Sequence, residues 1–290
     1  MSADWNRQGS KTEPGYGGHN GVLPEDNDNV LIRSDWWMVA DTQFPTLNKL
    51  IIHGVLELEN GRNYVLNASI IFIMGENARL IIGWEDDPHP GNVLISLQGD
   101  WDSQDMPLNN GPNVGSKAIG VFGSLEMHGM PREVYWTRLS KTANADDTSI
   151  ELEDVVNKGN ATDWKEGDEI VIASTTFEAR QAEVGIIASV NQNVVNLKTG
   201  LKHKHISHLH SLPDGRSYRL AAEVGLLTRN IKIEGADDPK GSIPTQDFGC
   251  RVIVGKTTAN NIDYVGKAKI ENVEFKHCGQ KGWTDFYDPR

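Results

Sequence analysis

The sequence predicts an all-β protein: a right-handed parallel β-helix with a small β-barrel-like insertion. The main observation is a recurring unit in which an apolar run is followed by a glycine and then by alternating apolar and polar residues; it occurs at 51–58, 71–75 and 121–127. Its glycines lie 21 and then 48 residues apart, which predicts one coil and then two. Such an interval, built from short β-branched runs, is typical of stacked repeats that bury their apolar faces against their neighbours. A second observation is that strand-like segments follow one another with no long amphipathic helix among them.

The first 20 residues are mostly polar and rich in Gly, Ser and Asn, which predicts a flexible leader. The first coils are expected over 21–143, with the first strand near Asn29. The segments there with strand composition, separated by turn residues, are 29–33, 37–40, 49–58, 69–74, 80–82 and 93–97. The tracts 84–90 and 100–116 are polar and predict loops.

Closely spaced strands of antiparallel style predict a β-rich insertion over 144–222. The first pattern then resumes over 223–290, at 231–235, 249–255 and 268–275. No stop signal follows the last of these units, and an uncovered terminal rung would leave unpaired backbone groups. We therefore expect a fragment of a longer chain, truncated at its C-terminus.

The charge and hydropathy of the chain exclude several kinds of partner. A formal net charge of −12 without a concentrated basic patch opposes binding to nucleic acid or to anionic lipid. The longest apolar run is far shorter than the ~20 residues that cross a bilayer, and the first 21 residues contain no apolar core of a signal peptide. We expect no nucleic-acid partner and no direct membrane insertion of this part of the protein.

Three motifs in the same order resemble a known family. Residues 117–129, followed by 136–139, resemble the end of an extracellular domain named for its eight glycines. Residues 223–231 and 275–280 are similar to the β-helical stretch that follows this domain in the fibrocystin family, so the resemblance covers roughly residues 20–290.

The resemblance implies an extracellular module of a large, single-pass membrane protein at the cell surface or cilium, and it does not settle enzymatic activity. The leading hypothesis is that the module is noncatalytic. Such a module would serve as a stiff spacer and as a ligand or adhesion surface, with an unknown extracellular glycan or protein as its partner. Two relatives of the family depolymerise hyaluronan. The alternative is therefore a hyaluronan-binding or hyaluronan-depolymerising, glycosidase-like domain.

Two acidic segments, at 84–89 and 100–105, form the strongest candidate site. If strand 93–97 places both at one edge, carboxylates and tryptophans converge in a groove. Carboxylate pairs can act on a glycosidic bond, and flat aromatic faces suit sugar rings. The candidates for glycan or calcium binding are Trp84, Asp86, Asp87, Trp101, Asp102 and Asp105. The favoured interpretation is nevertheless that these segments are solvated loops.

No catalytic residue is predicted for the noncatalytic module. Under the hyaluronan alternative the catalytic residues would be Arg79, Asp87 and Asp100, with Arg79 holding an acidic sugar through a forked contact. The same oxygens could bind calcium, but their spacing matches no EF-hand loop, so no cofactor and no metal are expected.

The remaining candidates have structural interpretations. Asn67 and Asn160 begin acceptor triplets for N-glycosylation, and we expect use of at least one if the parent protein is secreted. Cys250 and Cys278 lie 28 residues apart, close to one coil, and equivalent positions on stacked coils would be ~4.8 Å apart. That spacing allows a disulfide, although two buried thiols are favoured.

The histidines and a tryptophan pair are also expected to be structural. The histidine group predicts partly exposed residues on a strand or loop rather than a zinc site, because no thiolate or close carboxylate completes a ligand set. Its members are His203, His205, His208 and His210. His53 and His128 lie beside the repeat glycines and are expected to stack or to bond the backbone. Trp36 and Trp37 are expected to cap the first rung, and the alternative is an exposed platform for a sugar.

Overall fold

The structure is a computed structural model, and it describes residues 24–100, 103–108, 112–237 and 248–279. Within these residues it contains strands, one 3-10 turn at Ala179–Gln181 and no α-helix, so the predicted all-β class is confirmed. The predicted leader lies outside the described residues. The chain divides into two compact units, Met1–Met130 with Arg229–Arg290 and, separately, Pro131–Thr228.

The first unit holds strands β1 to β7 and β16 to β21. Their bounds are β1 Asn29–Ile32, β2 Trp37–Ala40, β3 Leu47–Ile52, β4 Val55–Leu58, β5 Tyr64–Ile82, β6 Val93–Leu97, β7 Ala118–His128, β16 Ile231–Gly235, β17 Arg251–Val254, β18 Lys256–Ala259, β19 Ile262–Val265, β20 Lys267–Glu271 and β21 Val273–Lys276. Eleven of these strands form one sheet in which every pairing is parallel, and β18 and β19 form a separate antiparallel hairpin.

The parallel pairings form three ladders because the long strands β5 and β7 each take part in more than one of them. The first ladder joins the start of β5 to β6, β16 and β21. The second joins β1, β3, the middle of β5, the first half of β7 and β17. The third joins β2, β4, the end of β5, the second half of β7 and β20.

Equivalent apolar residues stack in register along the second ladder. Ile32 pairs with Ile52, Ile52 with Ile73, Ile73 with Val121, and Val121 with Val254. The first four of these side chains are at most 1% exposed. Each such buried side chain stabilises the unit by about 1.5–3 kcal/mol, which explains why the apolar runs recur in the sequence.

The pairing of β5 with β7 corrects the predicted coil count. Ile73 pairs directly with Val121, so among the described residues no strand of the second ladder lies between them. The interval of 48 residues was expected to span two coils, and this expectation is wrong. The extra length is the connection from β6 to β7, which adds chain without adding a strand to this ladder.

The repeat glycines lie where neighbouring turns of the backbone approach closely. A Cβ atom on Gly54 would lie 2.0 Å from the carbonyl oxygen of Arg33, and one on Gly123 would lie 2.5 Å from that of Ala78. Only glycine fits these positions without moving the backbone.

The outer side of the second ladder is covered by the connection from β6 to β7. Val114 of this connection joins Ile51, Phe72 and Phe122 in a buried cluster, and the two phenylalanine ring centroids are 5.6 Å apart. The connection is therefore apolar where it touches the sheet, although its composition predicts a polar loop.

The second unit holds strands β8 to β15. Their bounds are β8 Trp136–Arg138, β9 Ser149–Glu151, β10 Glu169–Ile172, β11 Glu183–Asn191, β12 Val194–Leu197, β13 Ser207–Ser211, β14 Ser217–Ala221 and β15 Glu223–Leu226. Six of them form an antiparallel sheet in the order β8-β15-β10-β11-β12-β9, and β13 and β14 form a hairpin.

The second unit has its own core. Trp164 is fully buried among apolar side chains of this unit, and its indole N–H donates to the carbonyl oxygen of Val134 at 2.8 Å. Arg132 is also buried, with an Asp168 carboxylate oxygen 3.2 Å from its guanidinium. The unit spans Pro131–Thr228, whereas the sequence predicted an insertion over 144–222, because β8 and β15 at its ends pair with each other.

Cys250 and Cys278 form a disulfide in the structure, where two buried thiols were favoured. Their backbones form a parallel bridge with a Cα–Cα distance of 4.2 Å, so stacking alone brings the sulfurs together. Closing a loop of this length stabilises the folded chain by about 3–4 kcal/mol in the chain-entropy description.

Candidate functional site

The outer side of the third ladder carries a row of charged residues in register. Glu57 of β4 and Glu126 of β7 both pair with Ile81 of β5, and Lys269 of β20 pairs with Glu126. Alternation along each strand sends these side chains away from the core, because their neighbours Leu56 and Leu125 are fully buried.

Two tryptophans are fixed on this surface by one carboxylate. The indole N–H of Trp37 donates to Oε2 of Glu57, and that of Trp84 donates to Oε1, each at 2.9 Å. Trp37 remains 55% exposed, so its ring is held in place and still faces solvent. Sequence reasoning assigned Trp37 to a cap and overlooked Glu57, which connects the two rings.

A groove opens beside Trp84. Trp84, Glu85 and Asp86 lie on one side of a cavity of about 550 Å³, and Glu126, His128 and Lys269 lie on the other. We call these six residues the third-ladder groove. The Lys269 ammonium lies 3.4 Å from a carboxylate oxygen of Glu85, so an ion pair joins the two sides.

Charges in and beside the groove are partly compensated. The Ser124 hydroxyl donates to Glu126 at 3.0 Å, and the Arg79 guanidinium lies 3.7 Å from the same carboxylate. His128 is 3% exposed, and its Nδ1 lies 3.4 Å from a carboxylate oxygen of Glu271. The groove thus presents an aromatic wall together with charges of both signs.

The loop that supplies Trp84 is anchored by a residue that sequence reasoning did not select. His89 is fully buried, its Nε2 donates to the carbonyl oxygen of Arg62 at 2.8 Å, and its backbone N–H donates to that of His128 at 2.8 Å. Asn230 donates to the carbonyl oxygen of His89 at 2.7 Å. Burial lowers the pKa of His89, so its ring is held neutral.

The structure does not gather the two acidic segments in one groove. Asp87 accepts a hydrogen bond from Asn60 at 2.9 Å, beside the third ladder. Asp105 instead accepts from Asn113 at 2.9 Å, within the connection that covers the second ladder. Among the described residues the two segments therefore do not converge as expected, because the connection from β6 to β7 packs through Val114 on the second ladder and Asp105 lies in that connection.

The three residues predicted to be catalytic under the hyaluronan alternative each contact a different residue. Arg79 faces Glu126 and Asp87 accepts from Asn60, as above, while Asp100 is 5% exposed and accepts from the Ser103 hydroxyl at 2.9 Å. Trp101 and Asp102 lie outside the described residues. Trp84 and Asp86 are the glycan or calcium candidates that line the groove.

The histidines of 203–210 differ in burial, although the ring centroids of His208 and His210 are only 6.4 Å apart. His205 is fully buried, contrary to the expected partial exposure, with its ring nitrogens 2.9 Å from the Ala173 carbonyl oxygen and 2.8 Å from Glu183. His208 and His210 are exposed on β13. In the described part of the chain no group of three or more His, Cys, Asp or Glu residues is placed to hold a metal ion.

Glu183, whose side chain is 11% exposed, is the partner of His205. Its burial alone would raise its pKa, but the backbone N–H groups of Lys202 and His203 and the His205 ring stabilise the carboxylate more strongly, so the pKa of Glu183 lies below its ordinary value. The Glu183 carboxylate has a structural role, because its hydrogen bonds hold the segment 202–205 that precedes β13.

The two glycosylation triplets differ in exposure. Asn160 is exposed in a turn closed by its backbone N–H to Asp163. Asn67 is half-buried within β5, where its amide oxygen accepts from Gln98 at 3.4 Å. His53, near the repeat glycine, bonds the backbone through Nδ1, which donates to the Met74 carbonyl oxygen at 2.6 Å.

Comparison with known proteins finds a matching domain family and similar sequences. Residues 17–140 match the G8 domain. Fibrocystin-L of Homo sapiens is 42% identical over 285 residues, which cover 94% of this chain and 6% of that protein. This chain is fibrocystin-L-like and contains a G8 domain. The resemblance predicted from its motifs is confirmed.

Other relatives widen the comparison. Fibrocystin of Canis lupus familiaris is 33% identical over 274 residues, covering 92% of this chain and 6% of that protein, and a G8 domain-containing protein of Dictyostelium discoideum is 28% identical over 269 residues, covering 89% and 21%. The chain thus spans 6% of the length of the fibrocystin-L and fibrocystin sequences. The G8 match includes every residue of the third-ladder groove except Lys269.

Among the described residues, no helix has the length and apolar character required to cross a membrane.

Proposed function

We propose that this chain is a noncatalytic extracellular module of a large, single-pass protein at the cell surface or cilium. It serves as a stiff spacer and carries a ligand or adhesion surface. The observation that carries the proposal is the in-register column from Ile32 to Val254, because a column that continues through five parallel strands resists bending.

The proposed spacer role assumes that the three ladders are the faces of a right-handed parallel β-helix. Parallel pairing throughout the large sheet, repeat glycines at sites of close backbone approach, and a core of stacked apolar residues all support this interpretation. A strand between two partners has its backbone groups bonded on both sides, which makes the stack stiff.

The ligand surface is the third-ladder groove. A fixed indole face supplies broad apolar contact with a sugar ring or an apolar side chain. Charged groups on both sides of the groove supply directional contacts. This arrangement suits recognition and requires no pair of acid and base residues.

The experiment incubates the protein with high-molecular-weight hyaluronan, with and without calcium, and measures polymer length by size-exclusion chromatography. Unchanged polymer is the expected result. Shortening that disappears in Asp87→Asn or Asp100→Asn contradicts the proposal and establishes the hyaluronidase alternative.

The ligand surface is tested separately by retention on immobilised hyaluronan and on a panel of other extracellular glycans and matrix proteins. Retention that is lost in Trp84→Ala supports the groove. The matched control is Trp136→Ala, which removes an indole that is 57% exposed in the second unit. Equal loss in both variants contradicts a site at the groove.

A further inference from the structure

A second cavity lies against the first unit, apart from the third-ladder groove. It has a volume of about 550 Å³ and is lined by three segments: the end of β1 with the turn that follows it, the corner of β5 after Met74, and the tip of the β18–β19 hairpin. His53 also lines it. We call this cavity the hairpin pocket.

The hairpin that closes the pocket is held rigidly. Its turn residues Asn260 and Asn261 have φ values of 51° and 62°, as required by a two-residue type I′ turn. Tyr264 packs against the buried cluster that contains Phe72 and Phe122. The pocket therefore exists before any ligand arrives, which limits the entropy lost on binding.

The base of the hairpin is equally constrained. A Cβ atom on Gly266 would lie 2.0 Å from the carbonyl oxygen of Val121, and the N–H of Gly255 donates to that oxygen at 3.1 Å. Both ends of the hairpin thus rest on β7, and its tip has a fixed position over the corner of β5.

The lining carries charges of both signs. Arg33 has its own counter-ion in Asp35, at 3.3 Å, and Glu76 is an exposed carboxylate at the opposite segment. An anion would meet Glu76 and would compete with Asp35 for Arg33. A cation would meet the guanidinium of Arg33, so the lining complements neither sign of charge by itself.

The remaining polar groups suit a ligand rich in hydroxyl groups. Asn77 and Asn260 are exposed, and an amide both donates and accepts hydrogen bonds. Tyr264 adds a phenolic hydroxyl. His53 uses Nδ1 as a donor to the backbone, so Nε2 is the ring atom it can offer. Half-buried Leu31 lines the same cavity and supplies apolar contact.

We infer that the hairpin pocket binds a short uncharged glycan. Amide, phenol and imidazole groups can donate to and accept from sugar hydroxyls, the apolar part of the lining suits the C–H faces of a sugar ring, and the cavity has the volume of ordinary small-ligand sites. The site shares no residue with the third-ladder groove, so either proposal can fail without the other.

The test uses the full 290-residue chain and three uncharged disaccharides, namely diacetylchitobiose, mannobiose and lactose, followed by NMR amide shifts. At millimolar concentrations at least one is expected to cause saturable shifts at the corner of β5 and at the hairpin tip. Asn260→Gly keeps the positive φ and removes the amide, and Tyr264→Phe keeps the ring and removes the hydroxyl. Each is expected to weaken binding about 2- to 10-fold, the effect of one net hydrogen bond.

The matched control is Asn261→Gly, which changes the neighbouring turn residue outside the lining and should leave affinity unchanged. Three outcomes overturn the inference: no saturable shift with any of the three disaccharides, equal weakening by Asn260→Gly and Asn261→Gly, or tighter binding of a hyaluronan tetrasaccharide than of every uncharged sugar.

Discussion

Replacing Gly54 by alanine tests whether the repeat glycines hold neighbouring turns of the backbone together. Gly54 lies between β3 and β4, and the Cβ atom of an alanine there would lie 2.0 Å from the carbonyl oxygen of Arg33 and 2.4 Å from that of Trp36. Both obstacles are backbone atoms. The Trp36 oxygen already accepts the N–H of Val55 at 2.8 Å, so moving it breaks a bond between the residue before β2 and the start of β4.

The size of the effect follows from these distances. Separations below 3.0 Å force the backbone to shift, and overpacking of this kind costs about 1–3 kcal/mol. Loss of the net contribution of one backbone hydrogen bond adds about 1 kcal/mol. We therefore expect local destabilisation of about 3 kcal/mol, which corresponds to roughly a hundredfold change in a local opening equilibrium.

Hydrogen exchange read by mass spectrometry measures this change segment by segment. Peptides that cover β3 and β4 should lose about two orders of magnitude of protection in Gly54→Ala. Gly225→Ala is the control, because a Cβ there meets only Val171, at an ordinary 3.4 Å. Unchanged protection of β3 and β4, or equal losses in the two variants, would refute the close-approach argument.

Three further predictions concern the disulfide, a buried histidine and the glycosylation triplets. Cys250→Ser with Cys278→Ser should lower the free energy of unfolding of the first unit by about 3–4 kcal/mol, measured by urea denaturation, and added reductant should then have no further effect. The pKa of His89 is lower in the folded state, so the unfolded chain binds the proton more readily; stability should be constant above about pH 6.5 and fall below it. His89→Gln keeps a donor for the carbonyl of Arg62 and should remove this dependence, whereas an unaltered pH profile would contradict it. Secreted from animal cells, the chain should lose a glycan in Asn160→Gln but not in Asn67→Gln, as seen by a mobility shift with an amidase that removes N-glycans.

Much of the fold can be predicted from local patterns because parallel pairing places the same apolar requirement on each strand of a ladder. Ile52, Ile73 and Val121 each stand shortly before a repeat glycine, and the structure places them in one column. The length of a connection carries no such signal. The chain between β6 and β7 could have held another rung, and only the apolar contacts of Val114 with the second ladder reveal that it covers the sheet.

The alternation of apolar and polar residues also fails to predict which single polar side chains are buried. His205 stands among Lys and Leu residues that suit an exposed strand, yet Glu183 and the Ala173 carbonyl satisfy both of its ring nitrogens in the core. The partner that makes burial possible lies on β11, far away in the sequence. A period of two predicts the direction of a side chain but does not identify such partners.

The candidate groove shows what the repeat could have revealed and what it could not. Glu57 stands three residues after Gly54, Glu126 three residues after Gly123, and the structure brings both carboxylates into one register row. The position of a residue relative to its repeat glycine therefore predicts that these two carboxylates lie in one row. The acidic composition of a segment does not predict this. The same rule fails for the repeat at Gly75. There β5 contains extra residues after Met74, and its register with β7 shifts before Arg79.

The register shift in β5 affects which side chains surround the third-ladder groove. The residue of β5 that lies between the two glutamates is Ile81, fully buried, so no third carboxylate joins the row. Glu57 is free to bond the two indoles, and Glu126 faces Arg79. A regular repeat would have placed Ala78 in the row, since it stands three residues after Gly75. The shift instead brings Arg79 level with Ser124, beside Glu126, and so places the guanidinium next to the groove.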